Sequence, residues 1–234
     1  MSLFLLSPFF CLTQKTYSFD FAVVFETHLT QTKKTYKNSY FINSKLPNYY
    51  AFIKDLDKDT LSLSFIDNNG TKVYDAKFKS TSFANAENIS FDCKLVKEHH
   101  FYFAYKSKDY MMQKLTDTII RDTSYQHVVF KSKKNIGYQK RKKIVSRFFI
   151  IDKRAQNTPI FIFPNELLFD IYMKSSQLFE GRIRSAYDKN SEGKIEATYN
   201  YIYTKIHRNI IIPEDCDFTL QKNKIKNKVR KFEQ

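Results

Sequence analysis

An alternation of apolar and polar residues near the end of the chain constrains its fold more than any other feature. The odd positions carry Ile195, Ala197, Tyr199, Tyr201 and Tyr203. The polar residues that alternate with them are Lys194, Glu196, Thr198 and Asn200. A period of two places successive side chains on opposite faces of a strand, so one face of this segment is predicted to be buried. Upstream, Ile183 and Tyr187 alternate with arginines, and the six polar residues 188–193 suit a turn. The pattern predicts a β-hairpin and therefore a sheet.

Similar alternation recurs along most of the chain and predicts roughly ten strands in meander order. Besides the hairpin, the predicted strands cover residues 17–25, 35–43, 49–53, 61–65, 71–78, 89–97, 100–106, 125–131, 144–151 and 210–213. Residues 80–88 read as a loop, and residues 109–115 fit one helical turn. Asn165 to Met173 follows a proline and begins with an acidic turn, which favours a helix.

The fold class expected from these elements is mainly β. The strands predict a single curved antiparallel meander sheet, a half-barrel or open barrel, with one or two short helices. Aromatic residues make up 17% of the chain and favour a pleated, half-buried surface, whereas only four glycines argue against glycine-rich nucleotide loops. No proline- or glycine-rich linker divides the chain, so residues 14–217 are predicted to form one β-rich domain.

The N-terminus resembles an export signal. The apolar run 3–12 is too short to span a bilayer but fits the core of a signal peptide. Cys11 and Thr13 suit the two positions that precede a cleavage site, which predicts a signal peptide over residues 1–13. No Lys or Arg precedes the run, and the alternative is a buried first strand of an intracellular protein. We therefore expect an exported protein, in the periplasm, at the outer membrane or outside the cell.

Basic residues give the chain a formal net charge of +15. Such a charge favours anionic partners, although a lysine-rich surface also keeps an aromatic-rich protein soluble. Residues 218–234 form a basic tail with a thin apolar stripe, which suits contact with an anionic envelope surface, unless the tail is simply loose. Lys140 to Lys143, near Tyr138 and Phe148, suggest a nucleic-acid surface, but export removes most such partners, so no nucleic acid is expected.

Residues with metal-binding or catalytic chemistry occur without a complete motif. Asp55, Asp57 and Asp59, and the loop from Asp188 to Gly193, have calcium-loop spacing. Both lack the glutamate required at the twelfth position, so hairpin loops explain them. Vicinal His99 and His100 would point to opposite faces of a strand. Since no nucleophile, zinc or phosphate-loop motif occurs, we expect no enzyme, no cofactor and no metal site.

Two cysteines remain after removal of the predicted signal peptide, Cys93 and Cys216. An even number of cysteines in an oxidising compartment suggests a disulfide. The alternative is that each is a lone buried thiol, which is also common in protein cores.

Several of these features together resemble small exported β-proteins of Bacteroidetes. They are the signal-like run, the meander, residues 135–138 ahead of a basic strand, and Gly181-Arg182-Ile183 before the hairpin. The family with a Gly-Leu-Pro-Gly-Leu-Ile motif is similar over about the last hundred residues, with Gly181 and Ile183 matching the motif. More broadly, the pattern resembles the lipoprotein-carrier half-barrel class, in which helix covers the concave face of a curved sheet. That resemblance implies binding of lipid acyl chains.

Under this resemblance, one face of the sheet would hold a lipid or another apolar ligand. Alternation offers as candidates Phe19, Phe21, Val23, Phe25, Tyr40, Ile42, Phe101, Phe103, Phe148, Ile150, Tyr199 and Tyr201, covered by Leu168, Phe169, Ile171 and Tyr172 of the helix. The same residues also suit an ordinary close-packed core. The expected function is an exported, non-enzymatic, β-rich envelope protein that binds an apolar ligand. The alternatives are a structural or adhesive envelope protein without a pocket and an intracellular basic binding module.

Overall fold

The computed structural model describes residues 14–100, 104–155, 166–174 and 181–218. In chain order its strands are β1 (Gln14–Leu29), β2 (Thr35–Ile42), β3 (Tyr49–Asp55), β4 (Thr60–Asp67), β5 (Thr71–Lys79), β6 (Asn88–Ser90), β7 (Val96–Glu98), β8 (Tyr110–Lys114), β9 (Thr118–Ile120), β10 (Thr123–Ser132), β11 (Ser146–Asp152), β12 (Arg182–Lys189) and β13 (Ile195–Pro213). The helices are α1 (Ser80–Asn85), α2 (Ile136–Arg141) and α3 (Glu166–Lys174). Among these described segments, no helix has the length and apolar character needed to cross a membrane.

The strands form one open sheet. Its order is β7-β5-β4-β3-β2-β1-β13-β12-β11-β10-β8, with β9 paired to β10 and β6 paired to β13. Neighbouring strands are antiparallel except β6, which runs parallel to β13. The prediction of a mainly β fold with a single open, antiparallel sheet and few short helices is confirmed. The predicted signal peptide at 1–13 and the basic tail beyond residue 218 lie outside the described residues.

The hairpin predicted near the end of the chain is formed by β12 and β13. Strand β13 continues to Pro213, so the predicted strand 210–213 is the end of β13 and not a separate strand. Within the predicted helical turn at 109–115, Tyr110–Lys114 form β8. The N-terminus of the predicted helix 165–173 agrees with α3 within one residue.

The region between β5 and β8 departs from the predicted pair of strands at 89–97 and 100–106. The carboxylate of Asp92 accepts a hydrogen bond from the backbone N–H of Lys94 and caps a 3-10 turn at Cys93–Leu95, which interrupts the strand. A second 3-10 turn, Ala104–Asp109, occupies the end of the second predicted strand, of which residues 101–103 lie outside the described residues. The predicted loop at 80–88 contains α1. Local capping by an Asp side chain thus overrides the alternation.

Two apolar clusters stabilise the sheet. The first cluster joins the start of β1 and the end of β13 to β2–β7 and α1, through Tyr17, Phe19, Phe41, Tyr49, Ala51, Ile53, Leu61, Leu63, Phe65, Val73, Ala76, Phe83, Ile89, Phe91, Val96, Ile210, Ile212 and Cys216. The second cluster joins β1, β2, β8 and β10–β13 to α3, through Phe21, Val23, Phe25, Tyr40, Ile42, Met112, Val128, Phe149, Ile151, Leu168, Ile171, Ile183, Ala186, Ala197, Tyr199 and Tyr201. Consecutive residues Tyr40, Phe41 and Ile42 are all buried, so β2 is covered on both faces.

A buried carboxylate fixes the segment after β13. Asp217 is fully buried and accepts hydrogen bonds from the hydroxyls of Tyr17, at 2.6 Å, and Thr71, at 3.0 Å. The ammonium group of Lys15 lies 3.4 Å from the same carboxylate, which balances its charge. Next to it, Cys216 forms a disulfide with Cys93, and the two Cα atoms are 5.4 Å apart. These contacts connect β1, β5 and the end of β13.

The disulfide generates a stability prediction. It links residues 123 positions apart, so its loss restores much conformational entropy to the unfolded chain. We expect the Cys93→Ser, Cys216→Ser double variant to lose about 3–5 kcal/mol of unfolding free energy. Denaturant titration of the native protein with and without reductant provides the measurement, and the double variant serves as the control because reductant leaves it unchanged. Identical midpoints for the oxidised and reduced native protein contradict the prediction.

Gly181, at the start of the hairpin, has a conformation that other residues avoid. Its φ is +116°, and an added Cβ would overlap the carbonyl oxygen of Asp152 and lie 2.9 Å from Cα of Lys153. Gly193 in the hairpin turn also has positive φ, +81°, but an added Cβ there meets nothing within 4 Å. The two glycines therefore separate backbone strain from steric overlap.

We expect Gly193→Ala to cost about 1–2 kcal/mol of unfolding free energy through strain alone. Gly181→Ala should cost distinctly more, because strain adds to overlap with the backbone of the neighbouring strand. Thermal and denaturant unfolding of both variants measure the difference. Equal losses would show that the contact with Asp152 relaxes without cost.

Candidate functional site

Seven of the predicted face residues meet in the second cluster. They are Phe21, Val23, Phe25, Tyr40, Ile42, Tyr199 and Tyr201. Strand register explains the meeting, because Phe25 lies opposite Tyr201 on β13 and Val23 lies opposite Tyr40 on β2. The rings of Phe25 and Tyr40 stack with their centroids 5.3 Å apart. Together these residues form one continuous aromatic face on three adjacent strands.

Two other predicted face residues lie elsewhere. Phe19 belongs to the first cluster, where its ring packs edge-on against Tyr49 at 5.4 Å, because the register of β1 with β13 shifts between Phe19 and Phe21. Phe148 points away from the second cluster and stacks on Tyr187 at 4.8 Å, whereas the next residue, Phe149, is buried in that cluster. Four consecutive apolar residues at 148–151 gave no alternation from which to choose the buried face.

Helix α3 covers part of the second cluster. Leu168 and Ile171, three residues apart and therefore on one helix face, are buried in it together with Met112 of β8. Phe169, also predicted to cover the ligand, is half-buried and lies outside the cluster, because its position on the helix is rotated away from Leu168. Met173 is exposed. Of the remaining candidates, Ile150 is buried outside the second cluster, and Phe101 and Phe103 lie outside the described residues.

An ion pair that sequence reasoning missed lies within this aromatic face. The guanidinium of Arg147 donates two hydrogen bonds to the carboxylate of Asp188, each 2.7 Å long. The hydroxyl of Tyr199 donates to the same carboxylate at 2.8 Å and accepts from Arg147 at 2.9 Å. Asp188 was assigned to the hairpin turn, but it lies within β12 opposite Ala197. The signal was present, since Asp188 continues the alternation from Ala186 on β12.

Burial raises the pKa values of the phenols in this face. It raises the pKa of Tyr199 to about 12, against the opposing charge of Arg147, and it raises the pKa of Tyr201 well above its ordinary value. Burial alone would lower the pKa of Arg147, but hydrogen bonding and charge from Asp188 raise it. The phenols are therefore protonated and the guanidinium is charged at neutral pH. This arrangement offers apolar surface and fixed hydrogen bonds, without an activated nucleophile.

A pocket of about 280 Å³ opens beside the second cluster. Its lining residues are Asp152, Arg182, Ile183, Arg184, Tyr201 and Tyr203. Pairing between β12 and β13 begins at Ser185 and Asn200, so the first three residues of β12 diverge from β13 at this point. Ile183 and Tyr201 belong to the second cluster, and the pocket therefore joins aromatic surface to a group of arginines.

In the described part of the chain, no three His, Cys, Asp or Glu residues form a group suited to a metal ion. In the loop with calcium-like spacing, the side-chain oxygen of Asn190 accepts backbone hydrogen bonds from Glu192 and Lys194, both 3.0 Å long. In the other such loop, Asp57 accepts from the backbone N–H of Asp59 at 2.9 Å. Both sets of contacts are typical of hairpin turns.

The solved structures to which this protein is similar share little of its amino-acid sequence. The complex of MucA and MucB from Pseudomonas aeruginosa contains a chain with a TM-score of 0.39 and 8% identity, covering 80% of this chain and 51% of that one. This chain thus spans about half the length of that relative. A DUF1329 family protein from Desulfovibrio piger has a TM-score of 0.28 and 8% identity, covering 84% and 86% of the two chains.

A LolA superfamily protein from Nitrosomonas europaea has a TM-score of 0.28 and 8% identity, covering 80% of this chain and 85% of that one. No family model matches this chain, and no curated protein matches it by sequence.

The ion pair in the aromatic face yields a prediction. Asp188→Asn leaves the Arg147 guanidinium without its counter-charge in a buried position, so we expect a loss of about 3–5 kcal/mol of unfolding free energy. Replacing both partners, by Arg147→Met with Asp188→Leu, should cost less than the single change. The exposed pair of Lys140 and Glu192, 2.9 Å apart, is the control, and Glu192→Gln should have little effect. A double variant as unstable as Asp188→Asn would contradict this account.

Proposed function

We propose that this chain is a non-enzymatic binding protein of the cell envelope that holds a lipid acyl chain, or another apolar ligand, against the second cluster. The observation that carries the proposal is the position of α3 over an aromatic face of an open sheet. Seven face residues predicted from the sequence lie in that face, and α3 contributes Leu168 and Ile171 to it. Because α3 is short, a ligand can displace it and pack against the sheet face in its place.

The energetics favour a ligand that replaces the buried residues of α3. Each methylene group removed from water contributes about 0.8 kcal/mol, and each fully buried leucine or isoleucine contributes about 1.5–3 kcal/mol. An acyl chain of about ten methylenes therefore gains more than the burial of Leu168 and Ile171 loses. The pocket of about 280 Å³ lies slightly below the size range of about 300–1,000 Å³ for small-molecule sites, so a long chain needs room from the helix.

Polar groups of the aromatic face do not oppose an apolar ligand. Arg147 and Asp188 satisfy each other through two hydrogen bonds, and Tyr199 completes the set. An apolar chain lying over these groups therefore does not have to supply hydrogen bonds in their place.

Export is part of the proposal. The signal-like residues 1–13 and the disulfide between Cys93 and Cys216 both suit an oxidising compartment. The protein would act in the periplasm, at the outer membrane or outside the cell, as the resemblance to exported Bacteroidetes proteins implies. Its basic tail, residues 218–234, would contact an anionic envelope surface and bring the binding face near lipid.

A structural or adhesive envelope protein is the competing function. Val23 is fully buried, and Phe25 and Leu168 are almost so, as in a close-packed core that holds no ligand. The two functions differ in whether the purified protein carries or takes up an acyl chain.

Native mass spectrometry with lipid extraction, followed by titration with a fluorescent acyl probe, tests the proposed function. We expect the native protein to bind the probe and Phe21→Asp to abolish binding, because the charge lies within the second cluster. Ile202→Asp is the matched control, since Ile202 also lies in the sheet but is 56% exposed, and binding should be unchanged. Circular dichroism establishes that each variant is folded. Native protein that neither co-purifies with lipid nor binds the probe supports the structural function instead.

A further inference from the structure

The pocket beside the second cluster contains a local excess of positive charge. Asp152 is the carboxylate that lines it, and Arg154 occupies both carboxylate oxygens through two hydrogen bonds of 2.9 Å. That hydrogen bonding lowers the pKa of Asp152, against the effect of burial. Arg154 thus balances the charge of Asp152. Arg182 lies opposite Asp152 and its charge also lowers the pKa of that carboxyl, and together with Arg184 it leaves the pocket with an excess of positive charge.

Arg182 and Arg184 contact aromatic rings and not carboxylates. The guanidinium of Arg182 lies 5.2 Å from the ring centre of Tyr203, and that of Arg184 lies 4.8 Å from the ring centre of Tyr125. Arg184 also donates a hydrogen bond to the hydroxyl of Tyr125. Within the described residues, neither arginine forms an ion pair with a carboxylate. Stacking on a ring leaves the planar N–H groups at the edge of the guanidinium available to an anion.

A break in the strand register places Arg184 at the pocket. Ile150 of β11 lies opposite Ser185, and Ile151 lies opposite Ile183, so Arg184 is the extra residue of a β-bulge. Bulges redirect a side chain and occur next to binding sites more often than elsewhere in sheets. Gly181, with its positive φ, precedes this bulge by three residues and brings the chain close to Asp152. The geometry of the arginines is therefore built into the backbone.

The hydroxyl of Tyr203 is a buried donor at the same pocket. Tyr203 lines the pocket, and its hydroxyl oxygen has no hydrogen-bond partner in the described structure. A buried hydroxyl without a partner is unfavourable and needs an explanation. Burial raises the pKa of Tyr203, with Arg182 opposing, so the phenol is protonated and able to donate. Because Tyr203 lines the pocket, an anion bound there would satisfy this hydroxyl once the side chain turns toward it.

We propose that Arg182, Arg184 and the hydroxyl of Tyr203 bind an anionic group, a carboxylate or a phosphate, at the edge of the second cluster. Ile183 and Tyr201 connect the pocket to the aromatic face, so the anionic group is the head of the same ligand whose acyl chain lies in that face. In this respect the inference rests on the proposed function. The ligand class is a fatty acid or a lipid with a phosphate head group.

Calorimetric titration of the full chain at neutral pH and low salt tests the inference. The probes are dodecanoate, its uncharged methyl ester and inorganic phosphate. We expect the native protein to bind dodecanoate about tenfold more tightly than the ester, as charge-assisted hydrogen bonds imply. The Arg182→Gln, Arg184→Gln double variant should bind dodecanoate and the ester with equal affinity. Arg121→Gln, which changes an exposed arginine in the turn between β9 and β10, should keep the tenfold difference.

Tyr203→Phe provides a second variant that does not depend on removing charge. Because the hydroxyl has no partner in the folded protein, its removal should not lower the melting temperature. The affinity for dodecanoate should fall about threefold or more, while the affinity for the ester is unchanged. A purely structural role for Tyr203 would lower stability and leave both affinities equal to those of the native protein.

The outcomes separate this inference from the proposed function. Equal affinity of the native protein for dodecanoate and the ester, or a difference that survives the double arginine variant, overturns the anion site but leaves the acyl site intact. If neither dodecanoate nor its ester binds, the proposed function fails, and the titration with inorganic phosphate then tests the anion site alone. Phosphate binding that requires Arg182 and Arg184 shows a site for a free anion, and absence of phosphate binding overturns the inference as well.

Discussion

The pairing of β1 with β13 is the contact on which the rest of the structure depends. These two strands, from opposite ends of the chain, pair from Gln14 and Pro213 to Leu29 and Ala197. They occupy the middle of the sheet, so β2 to β5 extend from one side and β12 to β8 from the other. Both apolar clusters include residues of both strands. Such pairing between distant segments has a high loop-closure cost, and the contacts of Asp217 and the disulfide reinforce one end of it.

Local pattern was sufficient for much of the sheet and for most of its aromatic face. Alternation identified β1 and the β12–β13 hairpin, and seven of the predicted face residues meet in the second cluster because antiparallel register preserves the face from strand to strand. Alternation failed where local capping competes with pairing, as at Asp92, and where apolar residues are consecutive, as at Phe148 and Phe149. The parallel pairing of β6 with β13 joins segments 121 residues apart and has no local signal.

Polar residues were the least predictable part of the candidate site. Arg147 and Asp188 are 41 residues apart, and each alone reads as a solvent-exposed charge on a strand. They become a buried pair because β11 and β12 are neighbours with Arg147 opposite Asp188. The interpretation of Asp188 as a turn residue followed from its polar neighbours, whereas its burial follows from a partner that only the assembled sheet supplies. Buried charge of this kind can be predicted once register is known, and not from one strand alone.

Register breaks explain why the apolar face and the arginine pocket lie side by side. In a regular β12, Ile183 and Ala186 would lie on opposite faces of the strand, because they are three residues apart. The bulge at Arg184 brings both into the second cluster, and the arginines on either side of Ile183 line the pocket. Gly181 permits the chain to approach Asp152 before the bulge, which a residue with a Cβ would prevent. One glycine and one extra residue thus convert an ordinary edge of an aromatic core into a place where apolar surface meets positive charge. An amphipathic anion requires that combination, and a filled structural core does not.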